Sequence, residues 1–305
     1  MTESLRRLMQ QPIDYAGLFP PAQLGMREAL AEYGAALDSD DEWIVNRFVC
    51  PAQRVDECIG LLKEAKTKTG EDPNVEFSIV GTALTAGAGA VESIQSDQEQ
   101  VKQAFYHGGV GTYEIRLPDG PEFDACLGAV KKCFNWFDER DVEVYLEVPW
   151  GPNMSEQMAK ASSTIDGVCF KARTGGTTPE QFPDVRELAS FLVEVAGLES
   201  LYKLTAGLHQ PLRHYDSDLA CFHHGFLNVM IAGALATIQH ATLSEVEQVL
   251  SIEDPALIIF TDKTVEALGN VLTLKDIDEW WLFFGGFGSC SYREPIEGLQ
   301  QVGFV

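Results

Sequence analysis

Short apolar runs alternate along this chain with amphipathic stretches of about ten to twenty residues, the rhythm of βα units feeding a parallel sheet. The runs Ile44–Cys50, Phe77–Thr82, Tyr113–Leu117, Val142–Val148, Gly167–Lys171 and Leu201–Leu204 predict strands. Helical periodicity is found between them, over Val55–Thr67, Asp97–His107, Pro121–Asp138, Ser155–Ser163 and Pro179–Val195. Pro121 and Pro179 suit a first helical turn, where a missing N–H costs nothing, and Thr177 or Thr178 suits an N-cap. Two further strands bring the set to eight: Tyr15–Phe19 before a helix over Met26–Leu37, and Cys221–Phe226 before the apolar helix Leu227–Ile238. Eight βα units in about 240 residues predict an α/β protein of the TIM (β/α)8 barrel type. An open doubly wound sheet is the runner-up, weakened because no GxGxxG follows the first strand. Gly81–Gly89 is glycine-rich but lacks P-loop spacing and reads as a βα loop.

Beyond about residue 240 the rhythm is lost. Leu243–Ser251, Thr264–Leu268 and Leu274–Phe284 read as helical, and Gly285–Glu294 as a loop or short strand. The expected organisation is a barrel over residues 1–240 with a C-terminal extension, 241–305, packed on it.

Side chains two apart on a strand face the same way, and in a barrel one face meets the interior while the other meets the helices. Lys171 shares its parity with Cys169 and Arg173, while Val168 and Phe170 suit the helix layer. Lys203 shares parity with Thr205, Glu114 with Arg116, and Glu147 with Glu143 and Tyr145. Four consecutive strands thus bring charged groups to the inner face near their C-terminal ends, where barrels carry their active sites. Internal ion pairing is the structural alternative for the same groups.

The formal net charge is -24 over 305 residues, yet Lys171, Arg173, Lys203, His209, Arg213, His214, His223 and His224 gather in one segment. Such acidity excludes nucleic acid and anionic membranes as partners, since both are bound through positive surface. A local cationic cluster beside glycines instead suits a small anionic or carbonyl-bearing substrate. The N-terminal stretch has no apolar h-region, no run is long enough to span a bilayer, and the seven cysteines show no CxxC pair. A reduced, cytoplasmic protein is expected, and a homo-oligomer is compatible with it.

A lysine becomes nucleophilic when burial or a neighbouring cation lowers its pKa, so Lys171 and Lys203 on adjacent strands suit Schiff-base chemistry. Arg173 and Arg213 suit a bidentate anion clamp, and the N–H groups at Gly175 and Gly176 an anion cradle. His209, His224 and Glu147 suit proton transfer, and Asn228 the mouth of the barrel. No cofactor is needed for this chemistry. The alternative is a metal-dependent hydrolase or isomerase with a divalent ion at His209, His214, His223 and His224. A non-catalytic protein that binds a small anion is a third reading.

The run FKARTGGTTPE, from Phe170, and YKLTAGLHQPLR, from Tyr202, resemble the two lysine motifs of the deoxyribose-phosphate aldolases, class I aldolases on a TIM barrel. The resemblance implies that Lys171 forms the Schiff base and that Lys203 tunes it, in a lyase. Leu208 stands where the family's phosphate-binding turn has its second glycine, and Glu114 or Glu147 would replace its acidic shuttle. The chain also resembles a bacterial family without an assigned activity, marked by DYAGLFPPA, KxRTGG, TAGLHxP and HGFLN.

Overall fold

The computed structural model describes residues 1–70 and 75–305. In chain order these form α1 (Glu3–Leu8), β1 (Ile13–Tyr15), α2 (Met26–Leu37), β2 (Val45–Pro51), α3 (Val55–Thr69), β3 (Glu76–Val80), α4 (Ala90–Phe105) and β4 (Gly109–Arg116). Next come α5 (Phe123–Asp138), β5 (Glu143–Glu147), α6 (Met154–Thr164), β6 (Cys169–Arg173), α7 (Val185–Gly197), β7 (Tyr202–Thr205), β8 (His214–Asp216), β9 (Cys221–His223) and α8 (Phe226–Gln239). The remainder is α9 (Leu243–Leu250), β10 (Ile258–Phe260), β11 (Thr264–Ala267), β12 (Asn270–Thr273), α10 (Leu274–Trp280), β13 (Phe284–Ser289) and α11 (Arg293–Gln301). Among the described residues, eight parallel strands close into a barrel in the order β1-β13-β7-β6-β5-β4-β3-β2. The expected TIM-barrel class is the observed one, with helices after the seventh strand in addition.

Two compact units divide the chain: residues 14–40 with 46–171, and residues 1–13 and 41–45 with 172–305. In the first, β3, β4 and β5 pair in parallel, with Glu114 beside Tyr145 and Arg116 beside Glu147. Alternation sorts their two faces. Tyr113 points to the helices: its ring stacks on Phe137 of α5 at 4.5 Å, and its hydroxyl donates to Asp97 of α4 at 2.8 Å. Its neighbours Thr112 and Glu114 therefore face away from the helices, on the inner side.

In the second unit β13 pairs with β7, Phe287 beside Leu204, with a bulge between Phe284 and Phe287. α7, α8 and α9 pack on one another. Phe226–Ala236 of α8 are all buried, as a helix apolar on every side must be. Asp184 and Glu187 cap the start of α7 reciprocally, each accepting the other's backbone N–H at 2.8 Å.

The structure corrects four expectations. The eighth barrel strand is β13, not Cys221–Phe226, so the segment expected as an extension supplies part of the barrel. Its sequence, FGGFGS, hides the signal, because glycines blunt both alternation and β-propensity. Cys221–His223 instead pairs antiparallel with His214–Asp216. Thr264–Leu268 is not helical: β11 turns through Leu268 and Gly269, φ 51° and 86°, into β12. Two positive φ values across a two-residue loop suit a hairpin. The helix expected over Pro179–Val195 is a 3-10 turn, Pro179–Gln181, and then α7, because Pro183 cannot continue a helix. The first strand ends at Tyr15, where Phe19 N–H closes a turn onto Ala16 O at 2.9 Å.

Candidate active site

Three neighbouring strands set side by side the residues that parity places on the inner face. Register aligns Arg116 of β4, Glu147 of β5 and Lys171 of β6, with Glu114 two residues before Arg116. The Lys171 ammonium donates to Glu114 Oε2 at 2.8 Å and lies 2.8 Å from Glu147 Oε2. Arg116 Nε stands 3.7 Å from Glu147 Oε1, its side chain largely exposed. Lys171, Glu114 and Glu147 are 4%, 3% and 4% exposed, so their charges interact with little screening by water. Burial opposes the Lys171 charge, but the fields and hydrogen bonds of Glu114 and Glu147 outweigh it and hold its pKa above the ordinary lysine value. Lys171 is thus an ammonium at rest, not the depressed amine that the sequence led us to expect.

Two residues missed at the sequence level complete the group. Thr112 Oγ1 donates to Ser78 Oγ at 2.7 Å, and Ser78 Oγ donates to Glu114 Oε1 at 2.6 Å. Both are fully buried. Thr112 shares the parity of Glu114, and Ser78 lies between apolar Phe77 and Ile79. That pattern was the available signal. Together the hydroxyls fix one carboxylate oxygen of Glu114, so the other is aimed at Lys171.

The remaining candidates belong to the second unit and have separate tasks. Lys203 is buried in β7, and Thr205 ends that strand half-buried. Arg173 ends β6, and the loops after β6 and β7 lock together. Thr174 N–H donates to Thr205 O at 2.8 Å and Thr174 Oγ1 to Ala206 O at 2.5 Å. Gly207 has φ 76°, and a Cβ there would lie 2.9 Å from Gly175 Cα, so only glycine fits. The N–H groups of Thr177 and Thr178, just after Gly175 and Gly176, donate to Gln181 Oε1 at 2.6 and 3.2 Å. Gln181 thus supplies the acceptor for the two residues that follow the glycines.

His209 Nδ1 lies 2.8 Å from Glu294 of α11, whose carboxyl it holds below the usual range. No sequence signal linked these two residues. Arg213 pairs with Glu253, and its guanidinium lies over Phe222 at 3.6 Å. Asn228 is fully buried; its amide donates to Val249 O at 2.8 Å and Ile252 O at 2.9 Å and accepts from Arg213 N at 2.9 Å. It pins the segment after α9 and the start of β8 onto α8, rather than standing free at a barrel mouth.

His224 is buried, and its Nε2–H donates to Pro183 O at 2.8 Å. Burial, with help from the Arg213 charge and against the Pro183 bond, lowers its pKa from 6.5 to about 4. Above pH 6.5 the ring is neutral whether the chain is folded or unfolded. Between 6.5 and 4 the unfolded chain takes up the proton and the folded chain does not, so stability falls with pH through that window. The linked loss is about 3 kcal/mol. Urea unfolding at pH 7 and pH 4.5 should show a larger acid-induced loss for wild type than for His224→Gln, by about 2–3 kcal/mol. An equal loss in both would remove His224 as the cause.

No protein-family model matches this chain, and no curated protein matches it. Among solved structures, it is similar to a tetrameric deoxyribose phosphate aldolase from Aeropyrum pernix. The identity is 13%, the TM-score 0.49, and the match covers 99% of this chain and 98% of the other. The barrel rests on the strand order given above, and this likeness assigns a role to no residue.

The metal alternative finds its four histidines dispersed. His209 is engaged by Glu294 and His224 by Pro183, while His214 and His223 face each other across the β8–β9 hairpin. Among the described residues no group of three or more His, Cys, Asp or Glu side chains is arranged to hold a metal ion. No described helix is long and apolar enough to cross a membrane.

Proposed function

We propose that this protein is a Schiff-base-forming lyase that acts on a small carbonyl compound, with Lys171 as nucleophile and Glu114 and Glu147 as proton carriers. One observation carries the reading: a fully buried lysine lies between two carboxylates, each 2.8 Å away and each able to take its proton. A buried ammonium gives up a proton readily only to a group already in hydrogen-bond reach.

In this reading Glu147 accepts a proton from the Lys171 ammonium, and the neutral amine adds to the substrate carbonyl carbon. The carboxylic acid returns that proton to the carbinolamine hydroxyl, which leaves as water and gives an iminium. Glu114 takes the proton of a β-hydroxyl; the bond between the α and β carbons breaks, and its electrons pass into the iminium. An aldehyde departs, and the enamine left behind is protonated and hydrolysed. Ser78 and Thr112 orient Glu114 for the proton it takes. Lys203 enters as the tuning partner on the motif resemblance alone. An anionic substituent has less support than the carbonyl, because Arg213 is held by Glu253 and the N–H groups of Thr177 and Thr178 by Gln181.

Borohydride reduction in the presence of a panel of small aldehydes and ketones, followed by peptide mass mapping, tests the reading. The expected result is a reduced adduct on Lys171 that is absent from Lys171→Arg. No adduct, or adducts only on exposed lysines, would reject it and leave the second reading, a purely structural ion triad. The same geometry supports that second reading, because Lys171 already satisfies both carboxylates.

A further inference from the structure

We propose that the β8–β9 hairpin is a binding site for a borderline divalent metal ion such as Zn2+, chelated by the imidazoles of His214 and His223 with water in the remaining positions. This site is independent of the lyase reading. The hairpin pairs His214 with His223, Tyr215 with Phe222 and Asp216 with Cys221. Strand alternation therefore puts His214, Asp216, Cys221 and His223 on one face, which is half-buried, and Tyr215 and Phe222 on the exposed face. A short two-stranded ribbon has an evident use for two aromatics. Its turn uses Asp216, whose Oδ1 accepts from the Asp218 and Leu219 N–H groups at 2.9 and 2.8 Å, which leaves the two facing imidazoles on the sheltered side to account for.

The two rings are in place for a shared ion. Their centroids are 5.3 Å apart. Two imidazoles on one tetrahedral Zn2+, with Zn–N near 2.0–2.1 Å, have centroids about 5 Å apart. His214 Nδ1 lies 3.1 Å from Leu212 O, and a carbonyl only accepts, so Nδ1 carries the hydrogen and Nε2 keeps its lone pair. Backbone-held tautomers of this kind orient metal-ligating histidines. The His223 ring is stacked on Phe182 at 4.0 Å and 12°, which fixes its plane. Its Nε2 is buried and has no hydrogen-bond partner. A buried polar nitrogen left so is costly, and a cation would satisfy it.

The Asp216 carboxylate lies on the same face and offers negative charge to a cation or its bound water. Two protein ligands are few for a structural site, so the expected affinity is micromolar and the ion exchangeable.

The test uses the full-length chain without a histidine tag, stripped by chelator and titrated with Zn2+ by calorimetry and with Co2+ by visible absorption. One ion per chain is expected. His214→Gln and His223→Gln should each raise the dissociation constant at least tenfold, and the double variant should abolish the site. His214 lies half-exposed on the hairpin, so His214→Gln serves if the His223 variant fails to fold, as judged by circular dichroism. No saturable binding to wild type, or unchanged affinity in His214→Gln, would overturn the proposal.

Discussion

Lys171→Met is expected to destabilise the protein by about 3–5 kcal/mol. Methionine roughly matches the volume of lysine, so the loss is not one of packing. It deprives two buried carboxylates, Glu114 and Glu147, of the cation that stands 2.8 Å from each. The field of these carboxylates holds Lys171 charged against its own desolvation, and the same coupling acts in reverse when the lysine is removed. The triple variant with Glu114→Gln and Glu147→Gln should recover much of the loss, because a neutral set needs no counter-ion. Guanidinium unfolding of the two variants and wild type gives the measurement. A cost below about 1 kcal/mol for Lys171→Met would mean that water reaches the group and that the triad is not the buried unit described.

The second large effect is at Asn228. Asn228→Ala should cost about 3–5 kcal/mol, because three backbone groups lose one shared partner inside the protein. They are the carbonyls of Val249 and Ile252 and the N–H of Arg213. Asn228→Asp separates shape from chemistry. It keeps an acceptor for the Arg213 N–H but turns an oxygen toward two carbonyls, so it should be at least as harmful near neutral pH. Thermal or urea unfolding reads both variants. If Asn228→Ala stays within about 0.5 kcal/mol of wild type, water substitutes for the amide and the clamp is not structural.

Much of the barrel could be read from the chain because the six strands β2 to β7 announce themselves in short apolar runs. Parity then placed Glu114, Glu147 and Lys171 on one face, and the register confirms that they are neighbours. Their relation was harder to foresee. Two lysines and an arginine near strand ends suggested a depressed amine, but Lys171 is dominated by carboxylates from β4 and β5. Cross-strand distance, which sets that balance, is not written in the local sequence. The eighth strand escaped for a different reason. Phe284–Ser289 is half glycine, and its position is fixed by bonds from far away, such as Phe287 N–H to Pro12 O at 2.7 Å. The histidine-rich run was legible as a cluster, but its division among a hairpin pair, a Glu294 partner and a buried Pro183 contact depends on turns. Their geometry appears only in three dimensions.

The position of β13 also bears on how the chain matures. Its neighbours in the barrel are β1 and β7, so the ring cannot shut until residues 284–289 have left the ribosome. Until then both edges offer unpaired N–H and C=O groups to any passing strand. The growing polypeptide is an open, sticky ribbon until that segment emerges. Closure then joins residues separated by more than two hundred positions, a slow step whose wait favours aggregation over assembly.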